Sequence, residues 1–173
     1  MVSMRQMSVP RQISPDCPVL LKDRIHNMAL KDFEASLLAF IDTTVEVSGS
    51  GVFPEPASAQ LLFSDSSRLR ADSWRIILGG KAGVSSFVHN QKYGLPAPID
   101  AILHLKQQLK GKRVTGARLD ERNGDLLFRF EDDIELEVFN FTAYEVWEIQ
   151  FPNGTGEYSN YARPYAKLDQ TED

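Results

Sequence analysis

Two stretches of the chain read in the same order, a helix followed by four short strands, and this repetition restricts the fold more than any single motif does. In the second stretch, Ile99, Ile102, Leu103, Leu105 and Leu109 mark the apolar face of a helix that Pro98 and Asp100 open and Lys110-Gly111-Lys112 closes. Strands are expected at 113–119, 126–130, 134–139 and 146–149, with Asn123-Gly124 as a strong hairpin signal because both residues tolerate positive φ. In the first stretch, Leu30, Phe33, Leu37, Leu38 and Phe40 place an apolar face on a helix over 30–40, and strands are expected at 44–47, 59–63, 68–71 and 74–78. Gly79-Gly80 ends that meander. Laid side by side, Leu61-Leu62-Phe63-Ser64-Asp65-Ser66-Ser67-Arg68-Leu69-Arg70 matches Phe128-Arg129-Phe130-Glu131-Asp132-Asp133-Ile134-Glu135-Leu136-Glu137, and Trp74 takes the place of Trp147. The period, roughly seventy residues, exceeds the ~20–50 of solenoid and propeller units.

The expected fold is α+β: two similar helix-plus-antiparallel-β-meander units, about 30–80 and 98–151, related by internal duplication and packed into one compact domain over 19–156. Two half-domains in contact, or one sheet built from both meanders, would satisfy that pattern. Residues 1–18 read as an irregular N-terminal arm and 157–173 as a C-terminal tail.

Charge narrows the partners. Across 173 residues, 24 acidic against 19 basic side chains give a net charge of −5, the wrong sign for binding nucleic acid through an overall field. With 42% hydrophobic residues and no stretch near ~18 consecutive apolar positions, a globular domain without a membrane-spanning helix is expected. The single cysteine, Cys17, has no partner for an internal disulfide, and no secretory pattern opens the chain, so a cytoplasmic location is expected.

Catalytic constellations are thin. His26, His89 and His104 lie in three separate segments with no metal-ligand spacing, so neither a metal nor a cofactor is expected. Cys17 sits between Asp16 and Pro18 with no base in view, and Ser48-Gly49-Ser50-Gly51 leads into Val52-Phe53-Pro54 rather than into a helix that could hold phosphate. Trp147, Phe139 and Phe151 fall in or beside strand patterns and read as core, while Tyr158, Tyr161 and Tyr165 lie in the tail. Glu135 and Glu137 alternate with Ile134, Leu136 and Val138, which sends the glutamates to the solvent side of a strand.

At Gly111-Lys112-Arg113-Val114-Thr115, Asp120 to Leu126, Phe130-Glu131-Asp132, Leu136 to Asn140 and Tyr144-Glu145-Val146-Trp147, the chain resembles an uncharacterised bacterial domain family. With Gly79-Gly80 and Gly94 to Asp100 included, the resemblance covers roughly residues 36–155. It implies a small bacterial protein, and some similar small acidic proteins are immunity partners in polymorphic toxin systems. No catalytic residue carries over. Asp133 stands where the family's turn has glycine, which implies a strained turn.

Two functions follow as expectations. The first is a non-enzymatic protein-binding module, an immunity-type inhibitor that covers a basic toxin domain with an acidic surface made by Asp132, Asp133, Glu135, Glu137 and Tyr144. The alternative is a small-ligand or enzymatic site in a cleft between the units, with His89, Tyr93 and Asp65 as its participants. A purely structural subunit is a third reading, and the oligomeric state stays open.

Overall fold

The computed structural model describes residues 30–49, 57–140 and 145–159. The core is built from short strands, several of which alternate buried and outward side chains. Along β2 (Ala59–Phe63), Ala59, Leu61 and Phe63 are buried while Gln60 and Leu62 face out, and β8 (Ile134–Val138) repeats the pattern with Glu135 and Glu137 on the outer side. The remaining strands are β1 (Val45–Gly49), β3 (Arg68–Ala71), β4 (Trp74–Leu78), β5 (Lys81–Ser85), β6 (Val114–Asp120), β7 (Asp125–Phe130), β9 (Trp147–Gln150) and β10 (Gly156–Tyr158). Two helices accompany them, α1 (Leu30–Leu37) and α2 (Ala101–Leu109).

The protein is a mixed α+β fold with two antiparallel sheets, in the orders β1-β2-β3-β9-β10 and β5-β4-β8-β7-β6. This is neither of the arrangements the pattern suggested. The first sheet joins β1–β3 from the first half of the chain to β9 and β10 from the second, and the second sheet joins β4 and β5 to β6–β8, so the two halves are interleaved. The short link 72–73 carries the chain from the first sheet to the second, and the segment between β8 and β9 carries it back.

Where strands from the two halves meet, the contacts occur in pairs. Ala71 stands opposite Trp147 where β3 meets β9, and Val138 stands opposite Trp74 where β8 meets β4. Trp74 Nε1 donates to the Ala57 carbonyl at 2.8 Å, and Trp147 Nε1 donates to that of Gly124 at 2.9 Å. The Asp72 amide donates to Val146 and the Phe139 amide to Ser73, both at 2.9 Å. Between the halves, an isolated antiparallel bridge joins Thr44 to Arg113.

Both sheets turn their apolar faces to a common core. Phe63 of β2 stacks on Phe128 of β7 with centroids 5.7 Å apart, and Phe40 lies 4.4 Å from Phe63 and 5.4 Å from Phe128. Phe33 of α1 lies parallel to the Trp147 indole at 6.0 Å. Each such large side chain contributes roughly 1.5–3 kcal/mol through removal from water.

Several expectations are corrected. The chain tightens into a 3-10 turn at Leu38–Phe40, which sends Phe40 inward and leaves Leu38 58% exposed. On α2 the buried positions are Ala101, Leu105 and Leu109, one helical turn apart, so Leu103 falls on the opposite side. Gly124 alone of the Asn123-Gly124 pair takes positive φ (78°), closing a four-residue loop rather than a two-residue turn. Gly79 and Gly80, with φ of 55° and 73°, do not end the first meander but turn it into β5. The tail assigned from 157 begins inside β10. Phe139 is half-buried, under the Arg75 guanidinium at 5.5 Å, rather than in the core. The turn strain implied at Asp133 is present: Asp132 and Asp133 both adopt left-handed backbone, φ 61° and 56°.

Candidate functional site

The acidic residues singled out in the sequence are brought to one face, but with arginines and a lysine among them. Arg75 on β4 pairs with Glu137, Arg129 on β7 donates to Glu135 at 2.8 Å, and Lys112 pairs with Asp132. The Asp132 hydrogen bond pushes the Lys112 ammonium above its ordinary value, and the Arg113 bonds hold the neighbouring Glu131 below the usual carboxylate range. Arg122 in the β6–β7 loop holds Asp120 at about 2, while burial pushes Asp125 up. The face is a mosaic of paired charges in which Asp133 makes no ion pair among the described residues. Tyr144 lies outside the described residues.

The alternative site does not assemble as a cleft between the two halves of the chain. That seam is filled by Phe40, Phe63 and Phe128. Asp65 sits in the β2–β3 turn, where its carboxylate accepts from the Ser67 amide at 2.9 Å and from Ser67 Oγ at 2.8 Å, a turn-stabilising role. His89 lies after β5 and its Nδ1 accepts from the Ala101 amide at 3.2 Å, so the ring closes the start of α2 beside Asp100, whose side chain accepts from the Leu103 amide at 2.9 Å. His104 is exposed on α2.

Tyr93 stands in a different setting. Residues 86–100 form a structured loop: Asn90 donates to the Ile99 carbonyl, Ile99 to that of Gln91, and Leu95 to that of Lys92, at 2.7–2.9 Å. Asn90 and Tyr93 have φ of 63° and 42° beside Gly94 at 78°. A bulky residue held left-handed is strained by roughly 1–3 kcal/mol, so the surroundings impose the conformation. Tyr93 is 70% exposed, Phe87 68%, Leu103 48% and Leu95 47%, which gathers four large apolar side chains in water within one loop and the helix it leads to. Sequence reasoning did not single out Phe87 and Leu95, and it placed Leu103 on the apolar face of α2. The signal was present in α2, where Ile102, Leu103, Leu105 and Leu109 spread wider than one helix face can bury.

A third feature lies on the outer face of the first sheet. There the twist of four strands leaves a trough of about 320 Å³ lined by Ser48, Gln60, Leu62, Arg68, Arg70, Glu148 and Gln150 together with the flanking Leu61 and Leu69. The outer face of the second sheet holds smaller depressions of about 130 and 110 Å³. In the trough Arg70 is committed: it reaches Asp72 at 2.5 Å, the Glu145 carbonyl at 3.1 Å and Glu148 at 3.7 Å. Glu148 also accepts from Gln150 Nε2 at 2.8 Å. Burial and the nearby Glu148 and Glu145 carboxylates push the Tyr158 phenol up to about 12.

Comparison with protein-family models, with curated proteins and with solved structures gives no match. Among the described residues, no group of three or more His, Cys, Asp or Glu side chains is placed to hold a metal ion, and no helix is long and apolar enough to cross a membrane.

Proposed function

We propose that the chain is a protein-binding module without a reaction of its own, and that its recognition surface is the loop 86–100 with the outward side of α2. The observation that carries this reading is the concentration of Phe87, Tyr93, Leu95 and Leu103 on a segment pinned by its own hydrogen bonds. Apolar groups left in water together mark interaction surfaces, and a loop already ordered spends little entropy when a partner docks. The same segment carries exposed Lys92, Lys106 and Lys110 against one exposed acid, Asp100, so the matching partner surface is apolar with neutral or acidic groups beside it.

A second reading is favoured by the consecutive left-handed Asp132 and Asp133, which hold two carboxylates on a strained turn at the end of the acidic face. On that reading the partner is basic, and the chain is the immunity-type toxin inhibitor that the family resemblance implies. Variants separate the two. With a partner retained by the immobilised full chain, Tyr93→Ala with Leu95→Ser is expected to abolish retention, and lysine at 132, 133, 135 and 137 to leave it unchanged. The reverse result would select the acidic face. Retention by both variants would discard both surfaces.

We also infer that the chain arose by duplication of one helix-plus-meander unit whose last strands exchanged between copies. The paired tryptophan hydrogen bonds and the matching registers at β3–β9 and β8–β4 support this.

A further inference from the structure

We propose that the trough on the outer face of the first sheet binds a short acidic peptide segment, with a ligand carboxylate on Arg68 and an apolar neighbour on Leu62. The inference is independent of the loop surface. Within the described residues Arg68 has no ion-pair partner, and in register it faces Leu62 on β2 and Gln150 on β9. The second sheet shows what a completed row looks like: Arg129 stands opposite Glu135 and bonds to it at 2.8 Å. The side-by-side reading places Arg68 at the position of Glu135 and Leu62 at that of Arg129, so the first sheet carries a cation where the second carries a satisfied pair.

Shape and chemistry choose the ligand. The trough crosses β1, β2, β3 and β9, a span of roughly 14 Å at ~4.8 Å between strands, which matches about four extended residues. Gln60 and Ser48 offer neutral donors and acceptors of the kind a peptide backbone uses, and Leu62, 42% exposed, offers an apolar contact. One guanidinium fork fits one carboxylate. A dianionic phosphate would leave one charge unmatched on the single Arg68 guanidinium.

The test is a titration of the isotope-labelled full chain with acetyl-Leu-Glu-Leu-amide, following the side-chain resonances of Gln60, Gln150 and Arg68 by NMR. Saturable shifts at those three groups are expected, with Kd on the order of 1 mM. Arg68→Gln is expected to weaken binding roughly ten-fold, while Arg118→Gln on the other sheet changes nothing. Any of four results overturns the proposal: shifts that do not saturate, an equal response to acetyl-Leu-Gln-Leu-amide, tighter binding of inorganic phosphate, or unchanged affinity in Arg68→Gln. So does movement of the same resonances when Asp169, Glu172 and Asp173 are changed to their amides with no peptide added, because the occupant is then the chain itself.

Discussion

At the scale of the residue, Trp74 and Trp147 do more than fill volume. Each indole ties its strand to a carbonyl just before β2 or β7, so the strand is fixed by a directional bond as well as by burial. Tyr158, on the outer side of β10, carries a pH prediction. Its phenol titrates near 12 in the fold against about 10 when unfolded. The unfolded chain therefore loses this proton first, and stability present below pH 10 falls as pH rises towards 12. Lys112, raised by Asp132, adds to the loss in the same direction. Chemical denaturation across that range should give a shallower alkaline decline for Tyr158→Phe than for the unaltered chain, and equal slopes would mean that the phenol is open to water. The sequence reached some residues and not others for a physical reason. The strain at Asp133 was expected only from the resemblance, whose turn carries glycine at that position. Arg68 was not legible, because its meaning depends on which side chain faces it across β2.

At the scale of the element, strands announced by alternation were found and those without it were not. In β5, Lys81, Ala82 and Gly83 are all exposed, so no apolar period marks it, and β10 is three residues long. The β4–β5 hairpin nevertheless depends on two glycines for different reasons. Gly80 requires a positive φ that a side chain opposes, so Gly80→Val is expected to cost about 1–2 kcal/mol in thermal or urea unfolding. A Cβ at Gly83 would come within 2.9 Å of Ile76 Cγ2 and 3.2 Å of the Ile76 carbonyl, so Gly83→Ala is expected to cost about 1–3 kcal/mol despite its small size. No loss in either variant would mean that this edge strand moves freely without strain.

At the scale of the molecule, the interleaved sheets leave neither half of the chain a core of its own. The strands were legible in the sequence, but their pairing across the two halves was not: hydrophobic alternation fixes which face of a strand is buried and says nothing of which neighbour it pairs with. One consequence is cooperative unfolding. Trp147 reports on the first sheet and Trp74 on the second, so Trp74→Phe and Trp147→Phe leave one probe in each. Each chain should unfold in a single transition whose fluorescence midpoint agrees with that from circular dichroism. Separated midpoints within one variant would mean that the sheets are independent. Tied in this way, the sheets give the loop 86–100 a rigid base from which to present Phe87, Tyr93 and Leu95. The most direct test of that surface is hydrogen–deuterium exchange on the full chain with and without its bound partner. The predicted result is slowed exchange across 86–103, with residues 131–139 unchanged. Protection confined to 131–139, with the loop as open as in the free protein, would contradict it and leave the acidic face as the binding surface.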